Sequence, residues 1–82
     1  MSAETVSSTN VIEIYVPLLN EGTDVLRPTR GILVDREIVE VLATTDYDPA
    51  IEEWQFPPGT KVKCASELWS GRLRQVARHL VQ

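Results

Sequence analysis

One cysteine, one histidine and four glycines are shared among eighty-two residues, and each scarcity closes off a class of protein. A lone Cys64 excludes an internal disulfide. A zinc site needs three or four His, Cys, Asp or Glu ligands, and Cys64 and His79 stand far apart with no others at ligand spacing. Gly22, Gly31, Gly59 and Gly71 match neither the dinucleotide nor the phosphate-loop pattern. No third group stands at a spacing that would turn Cys64 and His79 into a catalytic set. No apolar run approaches the ~18 residues needed to cross a bilayer. Bases are also in the minority: eight Lys and Arg against twelve Asp and Glu leave a net charge of −4. That balance argues against a protein that grips nucleic acid with its whole surface.

What remains is ordinary globular material. Hydrophobic residues make up 43% and charged residues 24%, which excludes collagen-like and fully disordered chains. The length fits one domain, and a domain this small buries only about 60–65% of the surface its unfolded chain exposes. Stability therefore rests on a compact core, extended where needed by a partner. Residues 1–10 lack a basic start and an apolar stretch, so they read as a disordered polar tail and not as a secretory signal. Residues 11–82 form the domain. With one thiol and no export signal, the cytoplasm is the expected compartment, and no cofactor is called for.

Period-two patterning dominates. In Val11–Leu18, Ile12, Ile14 and Val16 share one face, which is a strand with one buried side. Pro17 marks an edge or bend there, and Asn20-Glu21-Gly22-Thr23 is a turn. A second extended stretch runs from Asp24 to about Val34, with Pro28 as a further edge signal and Gly31 as a bulge or a point of close packing. A third strand, Glu37 to about Thr44, directs Val39, Val41 and Ala43 to the core. Residues 45–59 form a long loop closed by Phe56-Pro57-Pro58-Gly59, a turn signal. Trp54 and Phe56 point to one side of it. A loop of ~15 residues is either functional or pinned by such aromatics. A fourth strand covers Thr60–Ala65. From Ser66 onward, Trp69, Leu73, Val76, Ala77 and Leu80 recur at helical spacing behind a Ser cap, which predicts a short C-terminal helix.

Two segments carry a resemblance. Ile14–Pro28, IYVPLLNEGTDVLRP, and Glu52–Cys64, EEWQFPPGTKVKC, are similar in sequence and spacing to segments of a family of small, mostly uncharacterised bacterial proteins. They span about a third of the chain. The resemblance implies a mainly β single domain of about five strands, an SH3-like barrel or roll, and implies no chemistry. Two features depart from the family. Leu26 stands where the family usually has Trp. The family's last stretch is an apolar strand after a Ser-Gly turn matching Ser70-Gly71, whereas here it is Arg-rich and helically patterned.

Charge is unevenly distributed. Residues 1–59 carry eleven acids against three arginines, a net of −8, and residues 60–82 carry one acid and five bases, a net of +4. The balanced reading is that the basic end pairs with the acidic part, within the chain or across a dimer. Other features have plain readings too: Cys64 as a small hydrophobe in a strand, Asp46, Asp48, Glu52 and Glu53 as a solvated acidic loop, and Glu21 and Asp24 as turn residues. The function expected from this is a non-catalytic interaction or accessory module, not an enzyme, acting on a protein partner or on itself. Tyr47, Trp54 and Phe56 in the long loop, with Trp69 and Arg72, are the candidate contact residues, because aromatics and arginine dominate binding hot spots. The alternative is a nucleic-acid contact through Lys61, Lys63, Arg72, Arg74 and Arg78.

Overall fold

The structure, a computed structural model, describes residues 10–81. The expected N-terminal tail, apart from Asn10, lies outside the described residues. Six strands follow in order: β1 (Val11–Leu19), β2 (Leu26–Leu33), β3 (Val39–Val41), β4 (Glu53–Trp54), β5 (Lys61–Trp69) and β6 (Arg72–Leu80). The domain is mainly β, and among the described residues no helix is long and apolar enough to cross a membrane.

The strands close a hydrogen-bonded ring in the order β1–β2–β3–β5–β6, with β6 returning to β1. Every pairing in it is antiparallel except β1–β6, which run parallel and meet through Tyr15 and Val76. The expected alternation of β1 holds: Ile14 and Val16 are fully buried. They meet Val39, Val41, Val62, Ala77, Trp54 and Phe56 in one cluster. Each such aliphatic side chain contributes roughly 1.5–3 kcal/mol by leaving water. Ala43, expected beside Val39 and Val41, is exposed, because β3 ends at Val41.

Prolines and glycines sit where their backbones are needed. The Pro17 carbonyl accepts from the Gln55 N–H (2.9 Å), and Leu18 and Leu19 then pair with β4. Pro17 thus occupies the point where one edge of β1 passes from β6 to β4, and no partner there requires the N–H it lacks. Gly31 is a point of close packing: a Cβ there would stand 2.2 Å from Val39 Cγ1. The Pro57–Thr60 turn closes through the Thr60 N–H to the Pro57 carbonyl (3.1 Å), with Gly59 at φ 93°. Pro then Gly at its two central positions is the pattern of a type II turn.

The C-terminal helix is not there. Residues 61–80 form the β5–β6 hairpin, joined by Ser70 (φ 52°) and Gly71 (φ 80°). Positive φ at both loop residues is the type I′ geometry whose twist matches that of the flanking strands. The helical spacing came from burial on both faces of β6. Ala77, opposite Cys64, joins the core cluster, while Val76, opposite Ala65 and paired with Tyr15 of β1, is buried on the other face. Beyond them the ladder shifts register between Lys63 and Cys64, so that Lys63 faces His79 and Arg78 is the extra residue of a bulge. Leu73 and Leu80, which would have continued a helical stripe, are 74% and 56% exposed.

Candidate interaction surface

The long loop is pinned to the core by its aromatics. Trp54 and Phe56 are 4% and 6% exposed. Tyr47 packs edge-on against Trp54, with ring centres 4.8 Å apart, and itself lies against the core. Of the expected contact residues Tyr47, Trp54 and Phe56, the last two are thus buried in the core, and Tyr47 is half-buried against it. Polar contacts fix the same loop from outside. Arg27 Nη2 donates to both Asp46 carboxylate oxygens (2.7 and 2.9 Å), and Arg27 Nε lies 3.5 Å from Glu52. Asp48 accepts from the Ala50 N–H, an Asx turn.

Trp69 and Arg72, the other two candidates, sit at the far end of the β5–β6 hairpin. Trp69 Nε1–H donates to Glu67 (2.9 Å). Its ring helps line a pocket of about 80 Å³ together with Pro17, Leu18, Leu26 and Arg78. Leu26 thus borders unfilled space. Arg72 is exposed directly beside the turn, as the cross-strand partner of Trp69.

Most of the basic residues already have partners. Arg78 holds Glu67 through a two-pronged contact, Nε to Oε2 at 2.6 Å and Nη2 to Oε1 at 2.7 Å. The Arg78 guanidinium, helped by the Trp69 N–H, pulls the Glu67 carboxyl down to about 2. Arg74 hydrogen-bonds the Tyr15 hydroxyl, and its guanidinium carbon stands 4.7 Å from the Tyr15 ring centre, a cation–π contact. Lys63 lies 3.8 Å from Glu37. Among the described residues, Lys61 and Arg72 have no carboxylate within ion-pair distance.

Charge segregation survives folding. Lys63–Glu37 is the one described ion pair that joins the acidic part of the chain to the basic end. Arg27 pairs with Asp46 and Glu52 inside the acidic part, and Arg78 with Glu67 inside the basic end. Intramolecular self-complementation is thus slight.

Cys64 and His79 are not assembled into a centre. Lys63 faces His79 and Cys64 faces Ala77, so strand alternation puts the thiol and the imidazole on opposite faces. Burial raises the thiol's pKa, which keeps Cys64 protonated. Among the described residues no three metal-ligating side chains converge. An opening of about 470 Å³ lies where β2 parts from residues 42–45, beside Glu13, Pro28 and Arg30. Arg30 gives its carbonyl to the Leu42 N–H, so Pro28, two residues earlier, faces the same open edge without a donor. That discourages strand addition.

The hairpin also carries an apolar surface. Leu68 and Leu73 face each other across the β5–β6 ladder and are 69% and 74% exposed. A second apolar spot is formed by Ile51, 77% exposed, and Leu19, 37% exposed. The signal for Leu68 and Leu73 was the Ser70-Gly71 pair, which places them equidistant from a two-residue turn and hence opposite one another. Comparison with protein-family models, with curated proteins and with solved structures finds no match.

Proposed function

We propose that the protein is a non-catalytic interaction module, built on a small SH3-like barrel, that contacts its partner with the β5–β6 hairpin. The closed five-strand ring, in which the last strand returns beside the first, supports the barrel reading. One observation carries the contact: two large aliphatic side chains, Leu68 and Leu73, stand opposed and open to water on a hairpin whose turn is already in its preferred geometry. An ordered apolar pair binds with little further loss of entropy. Arg72 beside the turn and Trp69 behind it supply the residue types that anchor interfaces. A nucleic-acid contact has less to draw on, since Lys63, Arg74 and Arg78 are already engaged.

The test is the double substitution Leu68→Ser/Leu73→Ser. Both sites are exposed, so the melting temperature should stay within a few degrees of wild type. Proteins captured by the wild type from its native lysate should be lost by the variant. A variant that captures the same proteins, or one that no longer folds, overturns this reading.

A further inference from the structure

Two apolar spots on this chain carry opposite charge at their rims. The hairpin end presents Leu68 and Leu73 on one face and, next to the turn on the other, Arg72, which has no carboxylate partner among the described residues. The other spot is a groove of about 210 Å³ lined by Leu19, Pro49 and Ile51, with Glu21 and Glu53 at its edge. Leucines 69% and 74% exposed and an isoleucine 77% exposed do not cover one another within the molecule. Nor does folding neutralise the basic end against the acidic part: among the described residues Lys63–Glu37 is the one ion pair between them.

Resting on the interaction-module reading, we propose that the occupant of the groove is the β5–β6 hairpin end of a second copy of this chain. Leu68 and Leu73 of one copy cover Leu19 and Ile51 of the next, and Arg72 meets Glu21 and Glu53. The contact joins two different surfaces, so it either closes as a two-fold pair, each hairpin in the other's groove, or continues from copy to copy as a ring or chain. The apolar area at each surface is well below that of a standard stable interface, so association is weak and concentration-dependent. Because the rims carry opposite charge, it weakens as salt rises.

Sedimentation velocity on the full chain at low salt, over a wide concentration range, tests this. The wild-type average mass should climb above that of one chain. Arg72→Glu and the pair Glu21→Lys/Glu53→Lys should each lower the association constant about tenfold or more, because each sets like charges against one another. Mixing these two variants should restore association, since the reversed hairpin then meets the reversed groove while the two unaltered surfaces also meet. Circular dichroism of each variant checks that the fold is intact. A wild type that stays a monomer at every concentration overturns the proposal. So does a mixture that associates no better than its components. A monomer whose captured protein is still lost on Leu68→Ser/Leu73→Ser leaves the interaction-module reading standing and removes only self-association.

Discussion

Gly31 is held in place by contact, not by backbone conformation, and that makes the effect of alanine calculable. The added Cβ would stand 2.2 Å from Val39 Cγ1, with the Glu40 carbonyl oxygen and Ile14 Cδ1 each at 3.2 Å. Carbon atoms in good contact sit at about 3.5–4.0 Å, so the methyl intrudes on Val39 by more than ~1 Å. Val39 is 3% exposed and branched at Cβ, so it has no free rotamer to escape into. Overpacking of this kind costs about 1–3 kcal/mol. At ~4–8 °C per kcal/mol for a domain of this size, a cost of ~2 kcal/mol lowers the melting temperature by roughly 8–16 °C. Thermal or urea unfolding followed by Trp fluorescence reports the change. The partner variant sharpens the test. Val39→Ala alone opens a cavity and should cost ~2 kcal/mol. In Gly31→Ala/Val39→Ala the new methyl occupies the space that Cγ1 left. The double variant should thus be at least ~1 kcal/mol more stable than the sum of the two singles. Strict additivity, or a Gly31→Ala protein within ~0.5 kcal/mol of wild type, would refute the packing argument.

Three other outcomes are expected. Trp54→Ala should cost about 3–5 kcal/mol and unfold much of the protein near room temperature, because a buried aromatic leaves a large void; calorimetry showing a near-normal melting temperature would place Trp54 outside the core. The Glu67 carboxyl should titrate near 2 by NMR, against an ordinary 4.5. Its folded pKa is depressed, so its share of stability is intact above about 4.5 and is lost as pH falls towards 2, and Glu67→Gln should flatten the acid unfolding curve in that window. Finally, the chain should pass through immobilised DNA and RNA without retention even at low salt. Salt-dependent retention that falls on Lys61→Ala/Arg72→Ala would instead favour the nucleic-acid reading.

The strands that bury one face were legible in the sequence, because Ile14, Val16, Val39, Val41 and Val62 follow period-two spacing and the Pro58-Gly59 turn has its own chemistry. The strand β4 was not, since two residues carry no periodicity; only pairing with Leu18 and Leu19 makes Glu53–Trp54 a strand. The last strand was misread because adjacent Val76 and Ala77 are both buried, one beside Tyr15 of β1 and one in the core, and so imitate a helix, while the Ser70-Gly71 turn signal was outweighed. The candidate surface was legible only in part. Residue type pointed to Tyr47, Trp54 and Phe56, but an aromatic in a loop is as suited to plugging the end of a small core as to binding, and burial alone separates the two roles. Trp69 and Arg72 do lie at the hairpin end, next to the leucines that alternation around a two-residue turn brings together.

The meeting of first and last strands at Tyr15 and Val76 has a kinetic side. The two long hairpins zip from nearby residues, whereas that junction must bring together points sixty-one positions apart, so it forms late and at a high entropic cost. The same seam, with one bridging pair and no antiparallel ladder behind it, is the natural place for the native protein to breathe. Amide hydrogens along it should exchange with solvent through partial opening, ahead of those in the middle of either hairpin.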